Sequence, residues 1–121
     1  MALQVNWSEY KSFSKSNIDT VKEEAGIYKL SSEDTKDTNK VNVFYVGQAK
    51  KLKERLSQHL SKDEENDCIK NKVAKLSCFF KFVYVSKQED RDCMESFLYD
   101  HYNPECNKQK PSSKPCEINP N

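Results

Sequence analysis

The chain has 121 residues, 36% hydrophobic and 32% charged, with a net charge of +1. That length fits one domain of about 100–200 residues and leaves no room for a catalytic domain joined to a separate DNA-reading one. One Trp, six Tyr and six Phe exclude a disordered chain, because disordered chains are poor in aromatic residues.

Asn6 to Ser14 reads as a short helix, since Trp7, Tyr10 and Phe13 recur at i, i+3 and i+6. Residues 15–25 read as a connector with a brief helical turn. Gly26-Ile27-Tyr28-Lys29-Leu30 is a strand, followed by a polar loop over 31–40. Val41 to Val46 is a β-branched and aromatic run, hence a second strand, and the two pair as an antiparallel hairpin. Gly47 ends the run where the chain turns toward a helix.

Residues 50–61 give the clearest helix, with Leu52, Leu56 and Leu60 as its buried stripe. Arg55 and His59, one turn apart, flank that stripe at the margin of the core. Charge is segregated here. Lys50, Lys51, Lys53, Arg55 and Lys62 meet only Glu54, whereas Asp63, Glu64, Glu65 and Asp67 follow without a base. The acidic run supplies N-cap residues for a further helix bearing Ile69, Val73 and Leu76. Cys78 to Ser86 is a third strand, apolar on both faces. The last helix spans Gln88 to Tyr102, with Met94, Phe97, Leu98 and His101 on one stripe and Glu95 beside it. Asn103-Pro104 ends it.

The expected fold class is α+β, a small three-stranded antiparallel sheet flanked by helices in the order α-β-β-α-α-β-α. Residues 1–107 are expected to form one domain, with an N-terminal helix over 6–14, and 108–121 a polar, mobile tail. Five cysteines, an odd number without a CxxC pair, argue against a disulfide framework. Neither His59 nor His101 has zinc-ligand spacing to a cysteine pair. No apolar run approaches the ~18 residues of a membrane span, and the start lacks the pattern of a signal peptide. An intracellular protein, cytoplasmic or nucleoid-associated and without a membrane partner, is the expectation.

Taken singly, Tyr28, Tyr45, Arg55 and His59 are ordinary packing or surface residues. Glu95 is less ordinary, because a carboxylate beside an apolar stripe needs a partner. The combination is more specific. Gly26-Ile27-Tyr28, then Tyr45-Val46-Gly47, then Arg55 with His59 four residues on, then Glu95 in RDCMESFLYDHY, then Asn107 in NPECN follow in order. This series resembles the GIY-YIG nuclease family, whose second half varies to YVG.

The resemblance implies metal-dependent hydrolysis of phosphodiester bonds in DNA, with one active site per chain. Glu95 would hold one Mg²⁺ (or Mn²⁺), an ion that binds through one or two carboxylates and keeps several waters. Arg55 would bind a non-bridging phosphate oxygen. Tyr28 is the implied base and Tyr45 orients water or phosphate. A free tyrosine has a pKa near 10, so His59 competes as the proton carrier. Asn107 would tether the phosphate. Gly47, Gln48, Lys50, Lys51 and Lys53 would contact the nucleic acid, although many members carry Lys where this chain has Gln48.

Branched DNA or RNA are alternative substrates. A homodimer would serve double-strand cleavage, and another protein could recruit a domain this small. The alternative function is a nucleic-acid-binding module whose cleavage is weak or partner-dependent.

Overall fold

The computed structural model describes residues 5–37 and 39–121. The start of the expected domain, residues 1–4, lies outside the described residues. The elements are β1 (Lys11–Ser12), α1 (Lys15–Ile18), β2 (Gly26–Glu33), β3 (Val41–Ala49), α2 (Leu52–Leu60), α3 (Asp67–Lys75), β4 (Cys78–Tyr84) and α4 (Gln88–Tyr102). The strands form one antiparallel sheet in the order β1-β4-β2-β3.

Alternation along the strands builds two cores. Tyr28, Leu30, Phe80 and Phe82 face Leu52 and Leu56 of α2 and Ile69 of α3. Ile27 and Val46 face Met94 and Leu98 of α4 on the other side. β2 lies between β3 and β4 and is covered on both faces, which buries Gly26 through Ser32. The β2–β3 register steps between Leu30 and Ser31, pairing Leu30 with Tyr45 and Ser31 with Val43. The extra residue, Phe44, thereby joins Tyr45 on the α2 side, an outcome of a bulge that strict alternation forbids.

Four expectations are corrected. Residues 6–14 do not form a helix. Ser8 donates its backbone N–H to Phe82 O at 2.9 Å, Lys11 pairs with Phe80, and Phe13 donates to Cys78 O at 2.9 Å. Without this segment, apolar β4 would present an unpaired edge, so backbone pairing prevails over helical spacing. The sheet therefore has four strands instead of three.

The tail packs against the domain. Ile118 is 4% exposed in the α4-side core, and the Trp7 indole donates to Asn119 O at 2.9 Å. Buried Lys29 donates to the Tyr102 hydroxyl and to Pro120 O. A buried ammonium needs acceptors, and the tail supplies one. Burial lowers the Lys29 pKa to about 8, with the Lys81 charge acting in the same direction.

The cysteines are also paired, Cys68 with Cys106 and Cys93 with Cys116, leaving Cys78 free. Their separations of 38 and 23 residues hide pairs that the fold alone brings together. No helix of the described residues is long and apolar enough to cross a membrane.

If the tail belongs to the core, Ile118→Ala should cost about 2–5 kcal/mol in urea unfolding, as for other buried aliphatic truncations. Unchanged stability would mean that the tail is not packed. Lys29→Met gives a second check. Folded Lys29 loses its proton near pH 8 while the unfolded chain keeps it to about pH 10.5. The unfolded state then binds more protons, so wild type should gain stability relative to Lys29→Met as pH rises through that window. A pH-independent difference in urea midpoints would contradict this.

Candidate active site

Tyr28 stands on β2 directly opposite Gly47 on β3. A Cβ at position 47 would lie 2.6 Å from the Tyr28 hydroxyl, so the missing side chain is what lets the phenol pass. The ring then reaches α2, where its Oη lies 2.7 Å from His59 Nε2. His59 is in the last turn of α2 and is 2% exposed. Its Nδ1 lies 2.6 Å from Oε2 of Glu64, and Glu64 Oε1 accepts the Asn66 backbone N–H at 2.9 Å. With Glu64 ionised, one tautomer satisfies every member: Nδ1–H donates to the carboxylate, and Nε2 accepts from the phenol.

Electrostatics keep this trio neutral at the phenol and imidazole. Burial holds the Tyr28 pKa well above its ordinary value, and the Tyr45 charge adds to that, while Arg55 opposes both. Burial also lowers the His59 pKa; the Glu64 carboxylate pulls it up, and the Arg55 charge pushes it down. A neutral imidazole with a free Nε2 lone pair is a proton acceptor.

Tyr28 and His59 sit behind an open groove of about 1140 Å³, whose lining includes Tyr45, Arg55, Glu64, Asp92, Glu95 and Asn107. That exceeds the roughly 300–1,000 Å³ of small-molecule clefts. Asp63, Glu64, Glu65, Asp92 and Glu95 outnumber the basic residues Arg55, Lys108 and Lys110 along it. A polyanion entering such a groove needs a cation with it.

Glu95, half-buried on α4, is a carboxylate that could hold a divalent cation. Gln48 at the end of β3 donates from Nε2 to Glu95 Oε1 at 3.2 Å and to Asp92 Oδ1 at 2.8 Å. Gln88 donates to the same Asp92 oxygen at 2.7 Å and to Gln48 Oε1 at 2.8 Å. Burial raises the Glu95 pKa, offset by the Gln48 hydrogen bond and reinforced by Asp92. Among the described residues no cationic side chain pairs with Glu95. No group of three or more His, Cys, Asp or Glu side chains gathers among them either. Such a sparse set of hard oxygen donors suits an ion that retains its waters and takes further ligands from a phosphate.

The residues singled out in the sequence occupy three distinct places. Tyr45, Arg55, Glu95 and Asn107 meet in the groove, and Tyr28 and His59 lie behind its wall. The Asn107 amide is engaged with the free edge of β3, accepting the Val46 N–H and donating to Val46 O, both at 2.9 Å. Gly47 is buried against Tyr28. Lys50 and Lys51 border a separate shallow hollow with Arg55, and Lys53 lies on α2. Lys108, Lys110, Asp92 and Glu64 were not singled out by sequence. Of these, only Asp92 left a signal, three residues before Glu95 and so on the same helical face.

Residues 24–108 match the model of the UvrC-like GIY-YIG domain. The chain belongs to the GIY-YIG family. UvrABC system protein C of Rickettsia felis is 28% identical over 107 residues, covering 88% of this chain and 15% of that protein. The same protein of Rickettsia canadensis is 30% identical over 93 residues, covering 77% of this chain and 13% of its own length. This GIY-YIG chain thus spans about 15% of the length of the curated relatives it matches. The N-terminal endonuclease domain of UvrC from Thermotoga maritima, solved with its catalytic divalent cation magnesium, shares the fold. Its TM-score is 0.57 at 22% identity, covering 77% of this chain and 93% of that one.

Gly47→Ala tests the packing that places Tyr28. The added methyl should cost about 1–3 kcal/mol in urea unfolding, the usual penalty of overpacking, and should shift the His59 ring resonances. A variant with wild-type stability and unchanged resonances would contradict the contact.

Proposed function

We propose that this chain is a metal-dependent endonuclease that hydrolyses phosphodiester bonds in DNA. One observation carries the reading. A guanidinium (Arg55), a tyrosine (Tyr45) and a half-buried carboxylate (Glu95) with no cationic partner among the described residues line one groove, and a phenol hydrogen-bonded to an imidazole lies behind it. These are the groups that an attacking water, a developing phosphorane charge and a divalent ion require.

In this reading Glu95, with Asp92 held beside it by Gln48, holds one Mg²⁺ (or Mn²⁺). When bound, the ion would supply positive charge to the phosphoryl oxygens. Arg55 leaves its present hydrogen bond to Gln58 Oε1 at 3.1 Å and binds a non-bridging oxygen. That swing opens the wall in front of Tyr28, which takes the water proton while passing its own to His59. Tyr45 orients the water or the phosphate, and Lys108 and Lys110 contact the backbone. Such a domain acts where DNA is, inside the cell, and is brought to its target by a second protein.

The exposure of the two tyrosines favours a second assignment, in which Tyr45 is the base and Tyr28 only props His59. Tyr45 lines the groove, whereas Tyr28 is 0% exposed. Two phenylalanine variants separate them.

Supercoiled plasmid should be nicked with Mg²⁺ or Mn²⁺ and left intact with EDTA. Glu95→Gln should abolish nicking while still binding duplex DNA at low salt. Under the first assignment Tyr28→Phe slows single-turnover cleavage by about 10²–10⁴-fold, the range of a lost acid–base group, and Tyr45→Phe slows it less. The reverse order assigns the base to Tyr45. A folded wild type that binds DNA without cutting it in either metal would replace the nuclease with a binding module.

A further inference from the structure

Glu64 lies in the acidic run over 63–67, yet its side chain is only 7% exposed. Both of its oxygens are engaged. Oε2 meets His59 Nδ1 at 2.6 Å, and Oε1 accepts the Asn66 N–H at 2.9 Å. Asn66 is itself fixed: its side chain caps α3 through the Ile69 N–H and donates to Cys106 O at 2.9 Å. The carboxylate is therefore aimed by the backbone at the start of α3, on a loop beyond the end of α2. It is not a loose surface ion pair, which would contribute little.

We propose that Glu64 is a positioning residue for the hydrolysis reaction. It fixes His59 as the Nδ1–H tautomer, so that Nε2 accepts the Tyr28 proton as Tyr28 takes one from the attacking water. The inference rests on the nuclease reading above and adds a member that the family motif does not contain.

The step balances. The water oxygen bonds phosphorus, and the bond from phosphorus to the leaving oxygen breaks. The water proton moves to Tyr28 Oη, and the Tyr28 proton moves to His59 Nε2. The resulting imidazolium keeps its Nδ1–H on the Glu64 carboxylate and returns the Nε2 proton to solvent after product leaves. The leaving oxygen takes its proton from solvent in the groove. Because burial disfavours a charged imidazole, the carboxylate offsets a cost that would otherwise oppose proton transfer. The charged and titratable groups facing His59 are Tyr28 from β2, Tyr45 from β3, Arg55 from α2 and Glu64 from the loop.

The plain alternative is that the trio only pins the loop over 61–66 to the sheet. Two measurements test the proposal, and the second separates it from this alternative. The first is the ¹⁵N spectrum of the His59 ring in wild type, which reads the tautomer without any cleavage. Protonated Nδ1 with unprotonated Nε2 is expected, and the opposite tautomer overturns the proposal.

The second is the pH dependence of single-turnover cleavage in Glu64→Gln. Its rate should fall by about 10²-fold, the low end for an acid–base contribution, with KM for DNA unchanged. The acidic limb should move to lower pH, because His59 loses the carboxylate that favours its protonated form. A Glu64→Gln enzyme that keeps the wild-type rate and acidic limb overturns this role alone. A folded wild type that cuts no nucleic acid overturns the nuclease reading, and this role with it.

Discussion

The hydrogen bond from the Tyr28 hydroxyl to His59 depends on a gap one side chain wide. Tyr28 leaves β2 opposite a residue without a Cβ, passes over it, and ends on the last turn of α2. Any side chain at position 47 fills the space that the phenol occupies. The second glycine, Gly26, is constrained in the same way by backbone: a Cβ there would fall 2.2 Å from Val83 O. The two glycines of the chain thus hold β2 close to both neighbours. The rest of the site is arranged around the phenol so placed.

β3 is the free edge of the sheet, and this fact organises the groove. An exposed edge strand offers unpaired N–H and C=O groups, and here the loop after α4 takes them up. Asn107 pairs with both polar groups of Val46, and the Cys106 N–H donates to Phe44 O at 2.8 Å. Along that same edge, Tyr45 turns toward α2 and Gln48 toward α4. The proton-accepting groups therefore gather on one face and the carboxylates on the other, with the strand between them. A phosphate lying along the edge would meet both. The Gln48 amide, where a lysine is frequent in the family, donates to Asp92 and Glu95 together. The carboxylates are thus held by a neutral group that does not cancel their charge.

Much of this was legible in the sequence, and the omissions share a cause. Leu52 and Leu56 marked the buried stripe of α2, the hairpin strands showed their β-branched runs, and the order from Tyr28 to Asn107 carried the family. What was missed is nonlocal. The segment around Lys11 is a strand only because β4 offers it an edge. The docked tail went unread because its contacts, Lys29 with Pro120 and Trp7 with Asn119, join residues 91 and 112 positions apart. The paired cysteines have no short spacing to betray them. Glu64 was hidden among neighbouring acids, whose shared reading as a charge run concealed the one that turns inward. Local periodicity reports which face of an element is apolar; it does not report what that face meets.

The central claim is that Tyr28 and His59 act as one unit in proton transfer. A double-mutant cycle with Tyr28→Phe, His59→Gln and the combined variant, read as single-turnover cleavage of a duplex in saturating Mg²⁺, tests it directly. Residues that act as a unit are strongly non-additive, so the double variant should be no slower than the slower single variant. Independent effects that multiply in the double variant would contradict the account.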